Sequence, residues 1–185
     1  MKKVIFFIFR SCWWLCSDSS RPDGRAVAAT PGERLAARAV QLWPETGDSS
    51  KARWTYDEGV MWKGMEGLWL NTGNAYWFKY VQHQMDRLVN KEGEIRTYKL
   101  EDYNLDNVLC GRVLLMLYKV TGQEKYYKAA GHLRDQLRTQ PRTLEGSYWH
   151  KKKYVEQVWL DGLYMAQPFL RSMPRCSMKI RCLRI

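Results

Sequence analysis

Two aspartates are the side chains of this sequence best suited to acid–base chemistry, and the first is Asp161. It lies inside SYWHKKKYVEQVWLDGLYMAQPFL, residues 147–170, a run that is apolar and aromatic along most of its length. Burial between Trp159 and Tyr164 would desolvate the carboxyl and favour its protonated form near neutral pH, as a general acid requires. The alternative is a structural aspartate that is hydrogen-bonded to a tyrosine or to the backbone.

The second carboxylate, Asp106, has a different predicted setting. It follows EDYN, where Asp102 or Asn104 is the predicted N-cap of a helix, so Asp106 falls in or near the first turn. The helix dipole favours its ionised form there. Two carboxyls whose surroundings push their proton affinities apart resemble an acid and its electrostatic partner. Capping alone is the alternative role for Asp106.

Aromatic residues and a histidine precede the predicted Asp161 helix in the segment GSYWHKK. Trp149 and His150 lie in this loop, and aromatic rings at the mouth of a cavity can face sugar rings. A structural role is the alternative for His150. The three histidines and five cysteines of the chain show no zinc-type spacing, so we do not predict a metal cofactor.

Helical periodicity accounts for most of the chain that must position these residues. Apolar residues recur at spacings of three and four in several segments, and strand signals are nearly absent. We therefore predict an all-α chain of about six helices, with long loops before residues 104 and 155. The last predicted helix places Gln157, Asp161, Tyr164 and Met165 on one face.

An internal repeat of 49 residues superimposes Thr72-Gly73 on Thr121-Gly122 and also matches aromatic and charged residues on the C-terminal side. Each unit holds two helices joined at the Thr-Gly turn. Hairpins of this length stack either as an open solenoid or as a closed double ring of helices.

The positive charge of the chain is concentrated at its ends. The net charge is +11, but residues 51–170 contribute only +4. No basic stripe appears on a predicted central helix, so we do not expect nucleic-acid binding. No stretch reaches the roughly 18 apolar residues of a membrane span.

The two ends differ in pattern from the middle, so we divide the chain into a damaged leader with a short helix (1–50), a helical domain (51–170) and an aberrant basic tail (171–185). The opening MKKVIFFIF resembles the start of a secretory signal, but Arg10 interrupts it. Export to the periplasm in an intact parent and a cytoplasmic location both stay open.

Three segments together resemble glycoside hydrolase family 105, the unsaturated rhamnogalacturonyl hydrolases: YDEGVMWKGMEGLWLNTG, YNLDNVLCGRVLLMLYKVTGQEKYYKAA and GSYWHKKKYVEQVWLDGLYMAQPFL. The resemblance covers roughly residues 50–170, and its most specific parts are WHKK and WLDGLYMAQPF. It implies an (α/α)6 barrel of twelve helices, of which this chain would form about half. It also implies removal of 4,5-unsaturated galacturonyl residues from rhamnogalacturonan oligosaccharides by hydration of the C4=C5 bond.

The resemblance also assigns roles to individual residues. Asp161 matches the aspartate that protonates the double bond and helps to activate water, Asp106 the second active-site aspartate, and His150 a substrate-contacting histidine. Tyr56 and Trp62 would help to wall the cavity. No cofactor is implied, and the exposed faces of a half-barrel would favour self-association.

Other functions remain open at this stage. One is an unsaturated glucuronyl hydrolase, which would share the fold and the chemistry. Others are a non-catalytic helical-repeat binding fragment and an inactive gene remnant.

Overall fold

The computed structural model describes residues 29–173, and the regular secondary structure of these residues is helical. The six α-helices are α1 (Pro31–Leu42), α2 (Tyr56–Thr72), α3 (Ala75–Asp86), α4 (Gly111–Thr121), α5 (Glu124–Thr139) and α6 (Leu160–Ser172). Within this part of the chain, β-type pairing occurs only at two isolated bridges. The predicted all-α class is confirmed. The signal-like start and residues 174–185 of the basic tail lie outside the described residues.

The repeat appears in the structure as two helical hairpins, α2–α3 and α4–α5. Gly73 ends α2 with φ of 68° and Gly122 ends α4 with φ of 69°, a left-handed conformation that glycine adopts without steric cost. In both turns a threonine hydroxyl donates to the carbonyl four residues earlier at 2.7 Å, from Thr72 in one hairpin and Thr121 in the other.

The two hairpins also share an aromatic contact at equivalent positions. The rings of Trp69 and Phe78 lie 4.9 Å apart across the first hairpin, and those of Tyr118 and Tyr127 lie 5.0 Å apart across the second. Both members of the second pair lie 49 residues after those of the first. The sequence repeat is therefore a structural repeat, in which an aromatic pair at equivalent positions packs the two helices of each hairpin together.

The helices follow the alternation of an α/α barrel. Helix α2 contacts α4, and α4 contacts α6, whereas α3 packs on α2 and α5 packs on α4. Because each hairpin reverses the chain direction, α2, α4 and α6 run the same way, and their N-terminal ends lie at the same end of this partial barrel. The predicted arrangement of helical hairpins as part of such a barrel is confirmed.

Close packing holds α6 against α4. The ring of Phe169, fully buried, lies over Gly111, where a β-carbon would approach that ring to 2.5 Å. A side chain at position 111 would therefore push the two helices apart. This contact fixes α6, and with it the segment that carries Asp161.

The start of α6 differs from the prediction. We expected a helix that includes Gln157, but α6 begins at Leu160. Glu156 has φ of 58°, which a right-handed helix does not allow, and the Gln157 carbonyl accepts a hydrogen bond from the His150 amide at 2.8 Å. The face predicted from Gln157 to Met165 is therefore wrong at its first position.

No helix among residues 29–173 has the length and apolar character that crossing a membrane requires.

Candidate functional site

Four side chains meet at the end of the barrel where α4 and α6 begin. The Nε2 atom of His150 lies 3.4 Å from Oδ1 of Asp106, and its Nδ1 atom lies 3.8 Å from Oδ1 of Asp161. Lys151 Nζ pairs with Oδ2 of Asp106 at 2.6 Å. We call these four residues the acid–histidine cluster. Three of them come from the predicted set, and the structure brings those three together.

Asp106 is positioned by a short 3-10 helix, Leu105–Val108, that leads into α4. The Asn104 side chain caps this helix by accepting a hydrogen bond from the Asp106 amide at 3.1 Å. One of the two predicted caps is therefore confirmed. Asp106 is buried, and the ammonium group of Lys151 supplies the opposite charge that a buried carboxylate needs.

His150 is fixed by its own backbone. Its carbonyl accepts from the Leu105 amide at 3.0 Å, which ties the histidine loop to the 3-10 helix of Asp106. Gly162, in the first turn of α6, leaves room for the ring, because a β-carbon there would lie 3.1 Å from His150 Nδ1. The histidine is thus held between the two elements that carry the aspartates.

Two buried glutamines, Gln136 in α5 and Gln140 directly after it, hold both loops by hydrogen bonds. Gln140 Nε2 donates to the carbonyls of Tyr103 at 2.7 Å and Trp149 at 2.9 Å. Gln136 Nε2 donates to the carbonyl of Asn104 at 3.1 Å and to Gln140 Oε1 at 3.0 Å. These two glutamines therefore set the spacing between the segment before Asp106 and the segment before His150.

Burial holds the pKa of His150 below its usual value, because desolvation disfavours the imidazolium. The carboxylates of Asp106 and Asp161 oppose this shift, whereas Lys151 adds to it. The ring is therefore neutral at neutral pH, so that one nitrogen can donate a proton and the other can accept one. Nδ1 has no hydrogen-bond partner among the described residues and lies on the Asp161 side.

Aromatic rings line the cluster beside the histidine. The His150 ring stacks on Trp159 with centroids 4.4 Å apart and an interplanar angle of 7°. Tyr154 stacks on the same indole at 5.0 Å. The Trp159 side chain remains partly exposed, so an apolar ring face adjoins the charged groups, a combination that suits a sugar with a carboxylate.

The environment of Asp161 differs from the prediction. Its side chain is 50% exposed, and the neighbouring Leu160 and Tyr164 are exposed as well. The predicted burial of Asp161 in an apolar face is therefore wrong within the described residues. Asp161 lies in the first turn of α6 instead of mid-helix, and the described residues leave this side of the helix uncovered. Asp106 is the more buried of the two carboxylates.

The remaining predicted residues lie apart from the cluster. Trp62 is fully buried in the core, so its ring offers no surface to a sugar, and the structure contradicts its predicted place in the cavity wall. Tyr56 is half-exposed at the first position of α2. Trp149 is half-buried, and its Nε1 has no hydrogen-bond partner among residues 29–173. Substrate contacts from Tyr56 and Trp149 remain predictions.

Metal binding is the other chemistry that this residue set permits. One ligand atom from each of Asp106, His150 and Asp161 lies within 4.8 Å of the others. The Lys151 ammonium already neutralises Asp106, however, and would repel a cation at the same oxygens. The prediction that no metal is used stays a prediction.

Sequence reasoning overlooked Lys151, Tyr154 and Gln140 and used Trp159 only as apolar surroundings. The signal available for Lys151 was its place directly after His150 in WHKK, a cation beside a candidate site. Gln140 gave no signal, because a glutamine near the end of a helix is ordinarily a surface residue.

Comparison with known proteins decides the family. A family model, Glycosyl Hydrolase Family 88, matches residues 33–179. The chain belongs to this family. It is 29% identical over 128 residues to the unsaturated rhamnogalacturonyl hydrolase YesR of Bacillus subtilis (strain 168), covering 66% of this chain and 35% of that protein. A solved glycoside hydrolase from family 105 of C. acetobutylicum ATCC 824 is 36% identical, with a TM-score of 0.66.

The match to that structure covers 74% of this chain and 37% of the solved chain. The recognition of glycoside hydrolase family 105 from sequence motifs is confirmed, and so is the assignment to a glycoside hydrolase family. The chain spans a little over a third of the length of the relatives it matches.

Proposed function

We propose that this chain carries part of the active site of an unsaturated rhamnogalacturonyl hydrolase, which hydrates the C4=C5 bond of a terminal 4,5-unsaturated galacturonyl residue. The observation that carries the proposal is the acid–histidine cluster, in which two carboxylates flank one neutral imidazole. The name of the B. subtilis relative supports this substrate class.

Asp161 is the proposed proton donor. Its half-exposed carboxyl is accessible to a substrate and to water. The Asp161 carboxyl gives its proton to C4 of the alkene, and the positive charge that develops is shared by C5 and the ring oxygen. A water molecule then adds at C5 and returns a proton to the Asp161 carboxylate. The hemiketal formed in this way opens, and the glycosidic bond is released.

The other cluster residues bind and orient. The Asp106 carboxylate holds the Lys151 ammonium group and lies beside the His150 ring, so it fixes the two groups that would meet the substrate. Neutral His150 keeps a fixed ring between the two aspartates, and its stacking partner Trp159 offers an apolar face to the sugar ring. The substrate carboxylate would be attracted to the Lys151 ammonium.

The experiment that tests the proposal follows the ultraviolet absorbance of the unsaturated uronyl group when the chain meets an unsaturated rhamnogalacturonan disaccharide. We expect the absorbance to fall with the parent chain. Asp161→Asn should lower kcat by about 100-fold or more, because the variant side chain has no acidic proton. The matched control is Asp135→Asn, an exposed aspartate of α5 far along the chain from the cluster, which should keep the parental rate.

The competing functions give different outcomes in the same assay. Preference for unsaturated glucuronyl disaccharides from glycosaminoglycans would replace the proposed substrate with that of the related hydrolases. Sugar binding without any absorbance change, retained in Asp161→Asn, would favour a non-catalytic binding fragment. Absorbance loss at equal rates in the parent and in Asp161→Asn would remove Asp161 from its proposed role.

A further inference from the structure

A groove next to the acid–histidine cluster has no role in the proposed reaction. Its volume is about 640 Å³, and its lining residues are Glu101, Asp102, Asn104, Lys151, Lys152 and Lys153. Lys151 belongs to both sites, because its ammonium group pairs with Asp106 in the cluster. A ligand bound at the cluster would therefore extend directly into this groove.

The two outer lysines are available to a ligand. Lys152 and Lys153 are exposed, and neither forms an ion pair within residues 29–173. Their Nζ atoms lie over aromatic rings instead, 5.9 Å from the Tyr103 centroid and 4.9 Å from the Tyr154 centroid. The aromatic faces hold the ammonium groups near the groove without neutralising their charge.

The backbone of Tyr103 is strained at this position. Its φ of 44° is left-handed, a conformation that a bulky side chain rarely adopts. Gln140 clamps the Tyr103 carbonyl at 2.7 Å, and the Lys152 amide donates to the Asp102 carbonyl at 3.3 Å. Such strain persists only where surrounding contacts enforce it, and it is concentrated at functional sites. The tyrosine and the lysine loop are therefore held together as one wall.

Two carboxylates that line the same groove complete its chemistry. Glu101 and Asp102 are exposed and form no ion pair within the described part of the chain, so their oxygens can accept hydrogen bonds from hydroxyl groups. Unpaired ammonium groups and unpaired carboxylates in one groove match a ligand that carries both a carboxylate and hydroxyls. A uronic acid sugar has this combination.

We propose that Tyr103, Lys152 and Lys153 form an outer subsite that binds a second uronic acid residue of the substrate, beyond the one that is hydrated. This inference rests on the proposed function for the direction of the sugar chain. The lysines bind the second carboxylate, Glu101 and Asp102 accept from its hydroxyls, and the subsite gives the protein a preference for longer acidic oligosaccharides over the disaccharide.

The test is equilibrium binding, so that it does not depend on turnover. Two saturated oligosaccharides are compared that differ only in whether the inner uronate is a free acid or a methyl ester. We expect the parent chain to bind the free acid about 3- to 10-fold more tightly, with a preference that shrinks as salt is raised. Lys152→Gln/Lys153→Gln should remove the preference.

Lys79→Gln/Lys91→Gln is the matched control, because it removes the same charge from exposed lysines elsewhere. It should keep the preference. Equal binding of both oligosaccharides by the parent, no binding of either, or equal loss of preference in both double variants would overturn the subsite. A preference lost only in Lys152→Gln/Lys153→Gln, with no absorbance change on the unsaturated disaccharide, would keep the subsite and reject the proposed hydration.

Discussion

Glu58 is a carboxyl whose proton affinity the fold changes strongly, although it lies outside the acid–histidine cluster. Burial in the first turn of α2 raises its pKa to about 7, with a smaller contribution from the Asp57 charge and an opposing one from Arg87. Between its ordinary value of 4.5 and about 7, the folded state keeps a proton that the unfolded state has lost. The stability contributed by this proton is therefore present at low pH and is lost as pH rises through 7.

Glu58→Gln should make the chain more stable above pH 7 than the parent by about 1 kcal/mol, after allowance for the solvent that still reaches this half-exposed group. Below pH 4.5 the difference should nearly vanish. The measurement is thermal unfolding from pH 4.5 to 8.5. His150 has a lowered pKa and an effect of opposite sign, with stability lost as pH falls below about 6.5, but it is common to both chains and cancels in their difference.

Glu92→Gln, at an exposed position in a turn, is the matched control and should leave the stability difference flat with pH. A Glu58→Gln difference that does not grow between pH 5 and pH 8 would show that burial does not oppose the charge of Glu58.

Sequence reasoning identified the reacting side chains but not their burial. Asp106, His150 and Asp161 stood out because their residue types and their neighbours suit acid–base chemistry. The exposure of Asp161 depends on which residues pack on its side of α6, where Leu160 and Tyr164 are exposed as well, and local composition does not encode that packing. The Lys151 pair with Asp106 joins residues 45 positions apart and needed the fold to be seen.

The C-terminal end of α5 and the residue after it, Gln140, support the site although neither belongs to the cluster. Gln136 and Gln140 are buried one turn apart and together satisfy backbone carbonyls of two separate loops. Removal of either glutamine side chain would leave those carbonyls without a hydrogen-bond donor, which costs about 1 to 3 kcal/mol for each group. The spacing of the loops, and hence of Asp106 and His150, depends on these two glutamines.

Gln140→Leu should therefore lower the free energy of unfolding by about 2 to 4 kcal/mol, because it leaves the Tyr103 and Trp149 carbonyls buried without a donor. It should also lower the rate of absorbance loss on the unsaturated disaccharide. Denaturant unfolding and the absorbance assay are the two measurements. Gln41→Leu, an exposed change of the same kind on α1, is the control and should lower neither the free energy of unfolding nor the rate. A Gln140→Leu chain as stable as the parent would show that the Gln140 hydrogen bonds do not hold the two loops.

At the scale of elements the helices and hairpins were predictable from sequence because each one has a local cause. The 3.6-residue period marks the helices, and the Thr-Gly turns mark the hairpins at Gly73 and Gly122. The 3-10 helix of Asp106 and the loop before α6 were less predictable. Their conformation comes from contacts made across the molecule, such as the His150 carbonyl with the Leu105 amide.

The largest consequence at the scale of the whole molecule concerns the exposed apolar surface of α6. The chain matches 37% of the solved family 105 chain, and α6 is the last helix of the described part. Leu160 is 85% exposed, and Leu163 and Tyr164 are also exposed on α6. Neighbouring exposed apolar side chains of this kind favour association, because contact with a second surface removes them from water.

We therefore expect the chain to associate with itself in a concentration-dependent way. Leu160→Ser/Leu163→Ser should weaken that association by about 10-fold or more, because each leucine side chain would lose roughly 1 to 2 kcal/mol of burial energy. Sedimentation velocity over a range of concentrations is the measurement. Leu144→Ser is the control, because Leu144 is 98% exposed but lies in the loop before α6 and not on its face. A chain that stays monomeric at every concentration, or equal weakening by the control, would mean that the α6 face does not drive contact between copies.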